Sequence, residues 1–467
     1  MTMSTVSFEP SAPVKTTKTA PRRSGTLPPP PPRPWVVRLA GVLVVGGLVW
    51  LIGLVVSGET GSELHAPGGW ATFLGTATGL VGTYLALVMV LLASRIPPVE
   101  RVLGQDGLLR WHRRISAWPI LLILLHAVLI TVGYAQAAHS GFGHEIGVLL
   151  NDYQDVLAAT VGLGLMLLIG VLSVRAIRRR LRRETWWAIH LYIYLALALS
   201  FAHALVLGPT FVGHPLTQAI WSLVWAGAAG LVVVYRIGLP VVRTLRHDIR
   251  VVEVRPEGPG VVSVICKGRN LDRLPVAGGQ FVMWRFLVRD LWWQAHPYTL
   301  SSMPRPPYLR ITVKAVGDHS EAVASLRPGT RVAIEGPYGA FTRYSRRYHR
   351  VAMIAAGIGV TAVRSLLEDL PSGTEPIVLI RATTEEDLVL RREIAALVRH
   401  HKGKLHELVG RRDEVRVDSA TLRRLVPDLA RRDVYVCGPE SFVDTVDLTC
   451  RHLGVHRSSL HHEAYAL

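Results

Sequence analysis

Two kinds of hydrophobic pattern follow one another along the chain. Between about residue 36 and residue 236, apolar residues form long segments that are interrupted by short polar connections. A helix that spans a bilayer needs about 20 mostly apolar residues, and these segments are close to that length. Beyond residue 248, apolar and polar positions alternate in short runs, which is typical of half-buried β-strands. The pattern therefore predicts a helical membrane region followed by a strand-rich soluble region.

The first region is predicted to contain six membrane spans. Arginines are concentrated before the first span, between the second and third, between the fourth and fifth, and after the sixth, whereas the other connections contain no Lys or Arg. Because cytoplasmic loops carry the excess of positive charge, we expect both termini in the cytoplasm. The predicted spans are Val36–Val56, Trp70–Ser94, Ile115–Ala138, Val156–Val174, Trp186–Leu207 and Leu216–Tyr235.

The second region changes its pattern at about residue 350. Alternating residues between Asp248 and Ile265, with turns at Gly258 and Gly260, predict a β-hairpin, and further short strands up to residue 335 predict a small barrel. From Val351 a buried strand leads through a glycine-rich turn into a helix, which is the start of a doubly wound nucleotide-binding domain. The predicted fold class is an all-α six-helix membrane bundle, followed by a β-barrel and a doubly wound α/β domain.

Composition changes this picture in three respects. The chain has 467 residues, a mean hydropathy of +0.30 and a formal net charge of +18. The positive charge lies between apolar segments, so we interpret it as a signal of membrane topology and expect no nucleic-acid partner. The three cysteines have no CxxC spacing, which argues against a disulfide framework or a cysteine metal site. Residues 1–35 contain the run Pro28–Pro32 and no signal-peptide core, so we expect a disordered Pro-rich tail.

Four histidines lie along the third and fifth predicted spans. His112 and His126 are 14 residues apart, and His190 and His203 are 13 residues apart. Since both spans run from the inside to the outside, His112 shares its depth with His190, and His126 with His203. A polar contact between helices would explain any one of them, but ionisable residues are costly in a membrane. Imidazole is a good axial ligand of haem iron, so four histidines paired at two depths predict two haems.

The two histidine spacings are not equivalent on an ideal helix. At about 100° per residue, 14 residues return to nearly the same face, whereas 13 residues miss it by roughly 140°. The fifth span must therefore tighten, kink or present its two imidazoles at different angles. These alternatives stay open at the level of the sequence.

Three short motifs in the second region indicate cofactor chemistry. The segment HPYTLSS (residues 296–302) ends a strand with an aromatic ring and hydroxyls that suit a flavin, although an ordinary buried strand end is the alternative. The segment AGIGVT (residues 356–361) lets a pyrophosphate approach a helix N-terminus, but such glycine turns are common. The segment VYVCGP (residues 434–439) puts Cys437 at the carboxyl edge of a sheet, where a cofactor contact and a structural cysteine are equal alternatives.

The order of these motifs resembles a known family. HPYTLSS, GPYG (residues 336–339), AGIGVT and VCGP occur in this order in ferredoxin-NADP reductase-like flavoproteins. With six spans and the histidine pairs upstream, residues 36–467 resemble the ferric reductase and NADPH oxidase superfamily. After the tail at 1–35, the resemblance implies a haem-binding ferric reductase-like transmembrane domain at 36–240. A cytosolic ferredoxin-NADP reductase-like module would follow, with an FAD-binding β-barrel at 241–347 and an NAD(P)H-binding α/β domain at 348–467.

The resemblance also implies roles for individual residues. Three are expected to be catalytic: Thr299, which contacts the flavin ring with Tyr298; Cys437, beside the nicotinamide; and Tyr465, an aromatic gate that the nicotinamide displaces from the flavin. Ala362 stands where the family usually has proline, which is expected to loosen the glycine turn without abolishing binding. The remaining implied contacts are His296, Pro297, Ser301, Ser302, Lys314, Gly317 and Ser320 toward FAD, Gly357, Gly359, Val360, Thr361, Gly438 and Pro439 toward NAD(P)H, and Glu463 beside the gate.

The choice of coenzyme is predicted from three arginines. Arg381, Arg411 and Arg412 follow strands whose ends should face the adenosine ribose. Guanidinium groups there could bind a 2′-phosphate, so NADPH is favoured over NADH.

Together these features predict a transmembrane oxidoreductase of the plasma membrane. Electrons from cytosolic NAD(P)H are expected to pass through FAD and two b-type haems to a small-molecule acceptor on the outer side. Reduction of a ferric chelate is the first expectation and superoxide formation from dioxygen the second, while a membrane quinone would fit the same path. A non-enzymatic haem-binding sensor is the alternative from a different class. The sequence carries no signal of the oligomeric state.

Overall fold

The computed structural model describes residues 33–58, 61–153, 155–411 and 413–465. The predicted Pro-rich tail lies almost wholly outside these residues, and so does Arg412. The chain divides into two compact units. The helical unit contains Arg33–Val99 and Gln105–Ile237, and the mixed unit contains Glu100–Gly104 and the chain from Gly238 onward.

Six helical segments among the described residues are long and apolar enough to cross a membrane. They are Pro34–Ser57, Gly69–Ala93, Gly107–Ala137, Val156–Ser173, Glu184–Leu207 and Pro215–His247. The predicted six-helix bundle is therefore confirmed. The third segment begins before the predicted Ile115, and the sixth ends beyond Tyr235, because amphipathic arginine-bearing stretches extend each apolar run as further helix.

The helices of this part of the chain follow one another with short connections. They are α1 (Pro34–Ser57), α2 (Gly61–His65), α3 (Gly69–Ala93), α4 (Pro97–Leu103), α5 (Gln105–Ile115), α6 (Ala117–Ala137), α7 (Phe142–Asp152), α8 (Val156–Ser173), α9 (Arg175–Arg178), α10 (Arg183–His190), α11 (Ile193–Leu207), α12 (Pro215–Val232) and, after a π-helical turn (Val233–Gly238), α13 (Leu239–His247).

The outside of the helical unit is apolar. Val42 and Leu43 on α1 are 66% and 64% exposed, and Leu223 on α12 is 71% exposed. Soluble monomers rarely expose continuous apolar surface of this kind, whereas contact with lipid accounts for it. Helices suit that environment because each satisfies its backbone hydrogen bonds internally.

Small residues let α3 and α6 pack closely. Gly75 and Gly82 lie on one face of α3, and an added Cβ would come within 2.9 Å of Ile130 and Ile123 of α6, respectively. Close approach through small residues is a common way for membrane helices to associate. This approach brings the backbone of α3 alongside the part of α6 that carries His126.

The first sheet of the mixed unit is antiparallel. Its strands are β1 (Ile249–Gly258), β2 (Val261–Lys267), β3 (Phe281–Phe286), β4 (His296–Thr299), β5 (Tyr308–Lys314) and β6 (Arg331–Tyr338), in the order β4-β3-β6-β1-β2-β5. A bridge between Leu300, just after β4, and Ile311 of β5 joins the two outer strands, so the sheet closes as the predicted barrel. Inward-facing Val264, Trp284 and Phe286 fill its core. The short helix α14 (Asp318–Val323) follows β5.

The second sheet is parallel and doubly wound, as predicted. Its strands are β7 (Val351–Ala356), β8 (Ile377–Ala382), β9 (Lys404–Val409), β10 (Asp433–Pro439) and β11 (Leu460–Tyr465), in the order β11-β10-β7-β8-β9. Helices α15 (Val360–Asp369), α16 (Arg391–His400), α17 (Ser419–Leu425) and α18 (Glu440–His452) cover it. Alternate residues of β7 enter two separate cores, Met353 on one side and Ile354 on the other. Chain order reverses between β7 and β10, and cofactors bind at such a switch point.

A buried ion pair joins the barrel to the parallel-sheet domain. Arg310 on β5 is fully buried, and its Nη2 lies 2.7 Å from Oε2 of Glu393 on α16. Arg364 of α15 donates from Nε to the same carboxylate at 2.8 Å. Since a buried charge without a partner is costly, this network fixes how α15 and α16 pack against the barrel.

Candidate functional site

The structure brings the four membrane histidines together in two pairs. The ring centres of His112 and His190 are 6.3 Å apart, and those of His126 and His203 are also 6.3 Å apart. These are the pairs expected from equal depth. Both pairs join the same two helical segments, Gly107–Ala137 and Glu184–Leu207.

The fifth span is interrupted and locally tightened just after His190. Helix α10 ends at His190 and α11 begins at Ile193. Between them the N–H of Tyr192 donates to the carbonyl of Ile189 at 3.0 Å, and the N–H of Tyr194 to that of Leu191 at 3.1 Å. Such bonds across three residues belong to the tighter 3₁₀ geometry, which turns further per residue than an α-helix. This tightening recovers only part of the roughly 140° difference, since 3₁₀ geometry adds about 20° per residue.

The imidazoles on the third span are oriented by backbone carbonyls. His112 donates from Nδ1 to Met89 O at 3.2 Å, and His126 donates from Nδ1 to Gly75 O at 2.8 Å. A metal-bound histidine typically donates its other ring N–H in this way, which leaves Nε2 for the metal. On the fifth span, the Nδ1 atoms of His190 and His203 are buried and have no hydrogen-bond partner among the described residues.

The 6.3 Å between the ring centres of each pair would leave room for one metal ion between the two imidazoles, since metal–imidazole bonds are about 2 Å long. A cavity of about 500 Å³ opens beside His126 and His203 and is bounded mainly by α3, α6, α7, α8 and α11. We call it the His126–His203 cavity. Gly79 lets the His126 ring pack closely against α3, since a Cβ there would lie 2.5 Å from His126 Nδ1. The residues present therefore fit a bis-histidine haem.

Trp186 is a neighbour of the His112–His190 pair that the sequence interpretation missed. Its ring stacks on His190 with centres 4.8 Å apart and an interplanar angle of 22°. The guanidinium carbon of Arg178 lies 4.4 Å from the centre of the same indole. The spacing in the sequence could have indicated this contact, because Trp186 precedes His190 by one helical turn and so lies on the same face of the helix.

On the barrel, β4 presents an aromatic cluster. The rings of His296 and His319 are 3.6 Å apart at 24°, and the Tyr298 hydroxyl lies 3.1 Å from His319 Nδ1. Burial raises the pKa of the Tyr298 hydroxyl, so the phenol remains a neutral hydrogen-bonding group. Thr299 pairs with Phe281 of β3, which ties the motif to the barrel. His319 was not predicted, since it is separated from HPYTLSS in sequence and reaches Tyr298 only through the fold.

The serines of HPYTLSS are internal to the protein. Ser301 Oγ accepts from Arg310 Nε at 3.2 Å and from Thr312 Oγ1 at 2.8 Å, within the network that contains Glu393. Ser302 Oγ is buried without a hydrogen-bond partner among the described residues. Ser301 therefore stabilises the barrel core through these hydrogen bonds, whereas the Ser302 hydroxyl forms none with the described residues.

The other residues expected toward FAD sit around α14. The hydroxyl of Ser320 accepts from the N–H groups of Val316 and Gly317 at 2.9 and 3.1 Å. It therefore caps the start of this helix. Lys314 Nζ lies 3.7 Å from Asp387 Oδ1, in a half-buried pair that a bound anion could rearrange.

The glycine turn after β7 packs against the end of β10. Gly357 has φ +54°, which favours glycine, and a Cβ at Gly359 would lie 2.5 Å from Cys437 O. Thr361 closes the turn by donating to Ile358 O at 2.9 Å. The two motifs therefore meet at the switch point of the sheet, with Val360 buried beneath them.

Tyr465 lies at this glycine turn. Its hydroxyl donates to Ala356 O at 2.7 Å and accepts from the Gly359 N–H at 3.0 Å. The segment that carries Tyr465 is the fifth strand of the sheet, β11, in parallel register with β10 so that Glu463 pairs with Cys437. The sequence interpretation had no strand here, because the segment is short and rich in histidine.

Cys437 is a neutral thiol in this setting. It is 3% exposed, and burial together with the Glu463 carboxylate raises its pKa well above the ordinary value. A thiol with a raised pKa is a weak nucleophile, so it can contact a nicotinamide but will not attack it. Gly438 and Pro439 continue β10 beside it, where a Cβ at Gly438 would lie 2.8 Å from Phe442.

The predicted coenzyme arginines differ from one another. Arg381 is buried, and its guanidinium donates to Ala382 O and to Gly410 O, both at 2.7 Å. It therefore joins β8 to the loop after β9. Arg411 is exposed at the same edge, with Nε 3.4 Å from Asp413 Oδ1. Of the two described arginines, Arg411 is the one open to a bound phosphate.

These features define a type of protein, namely a membrane-spanning flavin and nicotinamide oxidoreductase. Comparison with known families agrees. Residues 78–201 match "Ferric reductase like transmembrane component", residues 247–342 match "FAD-binding domain" and residues 353–447 match "Oxidoreductase NAD-binding domain". The chain belongs to the ferric reductase and NADPH oxidase superfamily, in which these three parts are fused.

Individual relatives cover parts of the chain. Ferredoxin–NADP reductase B of Sorangium cellulosum is 30% identical over 47% of this chain and 97% of its own length. NADPH oxidase 3 of Homo sapiens is 26% identical over 48% of this chain and 45% of its own length. The flavohem-like FAD/NAD-binding domain of nitric oxide dioxygenase from Vibrio cholerae is 22% identical with a TM-score of 0.41, over 47% of this chain and 99% of that one. The chain spans between 56% and 64% of the length of three further curated relatives.

Proposed function

We propose that this chain transfers electrons from cytosolic NADPH, through FAD and two b-type haems, to an acceptor on the outer side of the plasma membrane. The observation that carries the proposal is the equal 6.3 Å separation of His112 from His190 and of His126 from His203. The distribution of arginines supports the direction, since it favours the cytoplasmic side for the His112–His190 pair.

Each haem would be held by one histidine from the third span and one from the fifth. When bound, FAD supplies the conversion of a hydride into single electrons and the haems supply their path across the bilayer. Met89 O and Gly75 O orient the two imidazoles of the third span. Trp186 holds the ring plane of His190 by stacking.

In the mixed unit we assign residues 241–347 to FAD and residues 348–467 to NADPH. Tyr298 and Thr299 would contact the flavin ring, and the glycine turn would receive the pyrophosphate. Because the Tyr465 hydroxyl already accepts from the Gly359 N–H, the dinucleotide must displace it in order to use that donor. Cys437 would contact the nicotinamide as a neutral thiol, and Arg411 supports a preference for the 2′-phosphate of NADPH.

The proposed reaction is reduction of an acceptor at the outer face. Reduction of a ferric chelate is the expectation from the resemblance, and superoxide formation is the alternative. Added superoxide dismutase would suppress a superoxide-dependent signal and spare direct ferric reduction.

The test is to purify the full chain, count haem and FAD by absorbance, and follow haem reduction by NADPH without oxygen. Two haems and one FAD per chain are expected, with haem reduced on addition of NADPH. His126→Ala and His203→Ala should each halve the haem content while NADPH oxidation by a flavin-level dye persists. His144→Ala, an exposed histidine on α7, is the matched control and should keep both haems. Unchanged haem content in either His126→Ala or His203→Ala would overturn the assignment.

A further inference from the structure

A second cavity lies beside the His126–His203 cavity, at the end of α6. It measures about 480 Å³ and is lined by Gly68 before α3, Gln136 in the last turn of α6, His139 and Ser140 in the connection to α7, and Phe142 at the start of α7. We call it the His139 pocket. Phe142 lines both this pocket and the His126–His203 cavity, so the two spaces meet at this residue.

His139 occupies a position that the local backbone would assign to glycine. Its φ is +51°, its N–H donates to Gln136 O at 3.3 Å, and the next N–H, of Ser140, donates to Ala135 O at 2.9 Å. This is the Schellman end of an α-helix, in which glycine is the usual residue at the left-handed position. An imidazole there is less favourable than glycine. His139 nevertheless holds this position and lines the pocket.

The lining of the pocket contains both hydrogen-bonding and apolar side chains. Gln136 and His139 are exposed, and Ser140 Oγ donates to Oε2 of the buried Glu145 at 2.6 Å. Phe142 and Val132 supply the apolar surface. A planar ring that carries carbonyl oxygens would find N–H donors for the oxygens and an aromatic side chain for the ring.

Charge at this end of the helical unit disfavours anions. The three connections without Lys or Arg, residues 58–69, 138–155 and 207–215, all belong to it. They do contain acidic residues, among them Glu63, Asp152 and Asp155. The pocket also lies at the C-terminal end of α6, where the helix dipole is negative. An anionic ferric chelate would be repelled here, whereas a neutral ring would not.

We propose that the His139 pocket binds a quinone and that this quinone is the acceptor, in place of the ferric chelate that the resemblance leads one to expect; this rests on the proposed function. One NADPH, oxidised to NADP⁺ with release of a proton inside, supplies two electrons. The quinone takes these two electrons and two protons from water on the outer side, so that both carbonyl oxygens become hydroxyls. His139 and the Ser140–Glu145 pair are the polar groups beside the ring that can pass those protons.

The test uses the purified full-length holoprotein in vesicles without oxygen. Haem is first reduced by NADPH, and this step tests the proposed function. If NADPH does not reduce the haem, dithionite is used instead, so that the pocket can still be tested. A short-chain neutral benzoquinone or ferric citrate is then added, and haem reoxidation is followed by stopped flow. The variants are His139→Gly and Gln136→Leu, with His144→Ala as the matched outer control.

Loss of a hydrogen-bond donor is expected to slow quinone-dependent reoxidation by about 10-fold in both pocket variants. His139→Gly should keep or raise the melting temperature, because glycine suits the left-handed position. An azido-benzoquinone should label the peptide that contains residues 132–142 in the wild type and much less in the variants, whatever the turnover. Equal reoxidation rates in His139→Gly and the wild type, labelling elsewhere, or faster reoxidation by ferric citrate than by the quinone would overturn the proposal.

Discussion

Substitution of Gly79 by alanine tests the haem assignment without touching a ligand. The added Cβ would lie 2.5 Å from His126 Nδ1 and 2.9 Å from its Cε1 and Cγ. Ordinary contacts between such atoms are about 3.5 Å, so the ring must retreat by about 1 Å. The hydrogen bond from Nδ1 to Gly75 O, now 2.8 Å, would break with that movement.

The expected effect is selective loss of one haem. Overpacking of this kind costs about 1–3 kcal/mol, and loss of an orienting carbonyl weakens metal binding by about 10–100-fold. Gly79→Ala should therefore lower the haem count toward one per chain, as measured by absorbance of the pyridine complex, while FAD content is unchanged. Gly164→Ala on α8 is the matched control, since a Cβ there meets nothing within 4 Å. Two full haems with an unaltered spectrum in Gly79→Ala would refute the placement of the His126 ring.

Three further predictions concern other parts of the chain. Trp186→Leu removes a stacking contact worth about 0.5–1.5 kcal/mol, and a redox titration should show one of two haem potentials moving, whereas Trp187→Leu should move neither. Tyr465→Phe frees the Gly359 N–H, so the KM for NADPH should fall about five-fold, as one hydrogen bond is worth about 1 kcal/mol; an unchanged KM would contradict this. Glu393→Gln should destabilise the mixed unit by about 3 kcal/mol, measured by thermal unfolding. Burial raises the pKa of Glu393, but hydrogen bonds and charges from the buried arginines outweigh it and hold this pKa below its ordinary value. Wild-type stability should therefore fall as the pH drops below about 4.5, and Glu393→Gln should lack this dependence.

The sequence predicted the architecture because its signals are local. Apolar runs of span length, arginine-rich connections, alternating strands and glycine turns each depend on a few neighbouring residues. The pairing of histidines across two helices could also be predicted, because the position of a residue along a membrane span sets its depth in the bilayer. The tightened turn after His190 is a feature that the spacing alone could not show.

What the sequence could not show depends on contacts between distant segments. His319 reaches Tyr298 only after the barrel forms, and β11 is recognisable only beside β10. Arg381 was predicted at the ribose, yet its guanidinium is held by carbonyls of its own sheet edge. A side chain's partner, unlike its position on a strand, is decided by tertiary packing.

The ion pair between Arg310 and Glu393 limits how chains of this kind can be recombined. Fully buried Arg310 belongs to the barrel, and its half-buried partner Glu393 belongs to the α/β domain. A barrel cut out at residue 347 would lose the carboxylate that neutralises Arg310, and removing one partner of a buried pair costs about 3–5 kcal/mol against a typical domain stability of about 5–15 kcal/mol. The FAD and NADPH parts carry separate sequence motifs, but this ion pair makes them one unit when domains are recombined. A working chimera must therefore take Arg310 and Glu393 from the same parent.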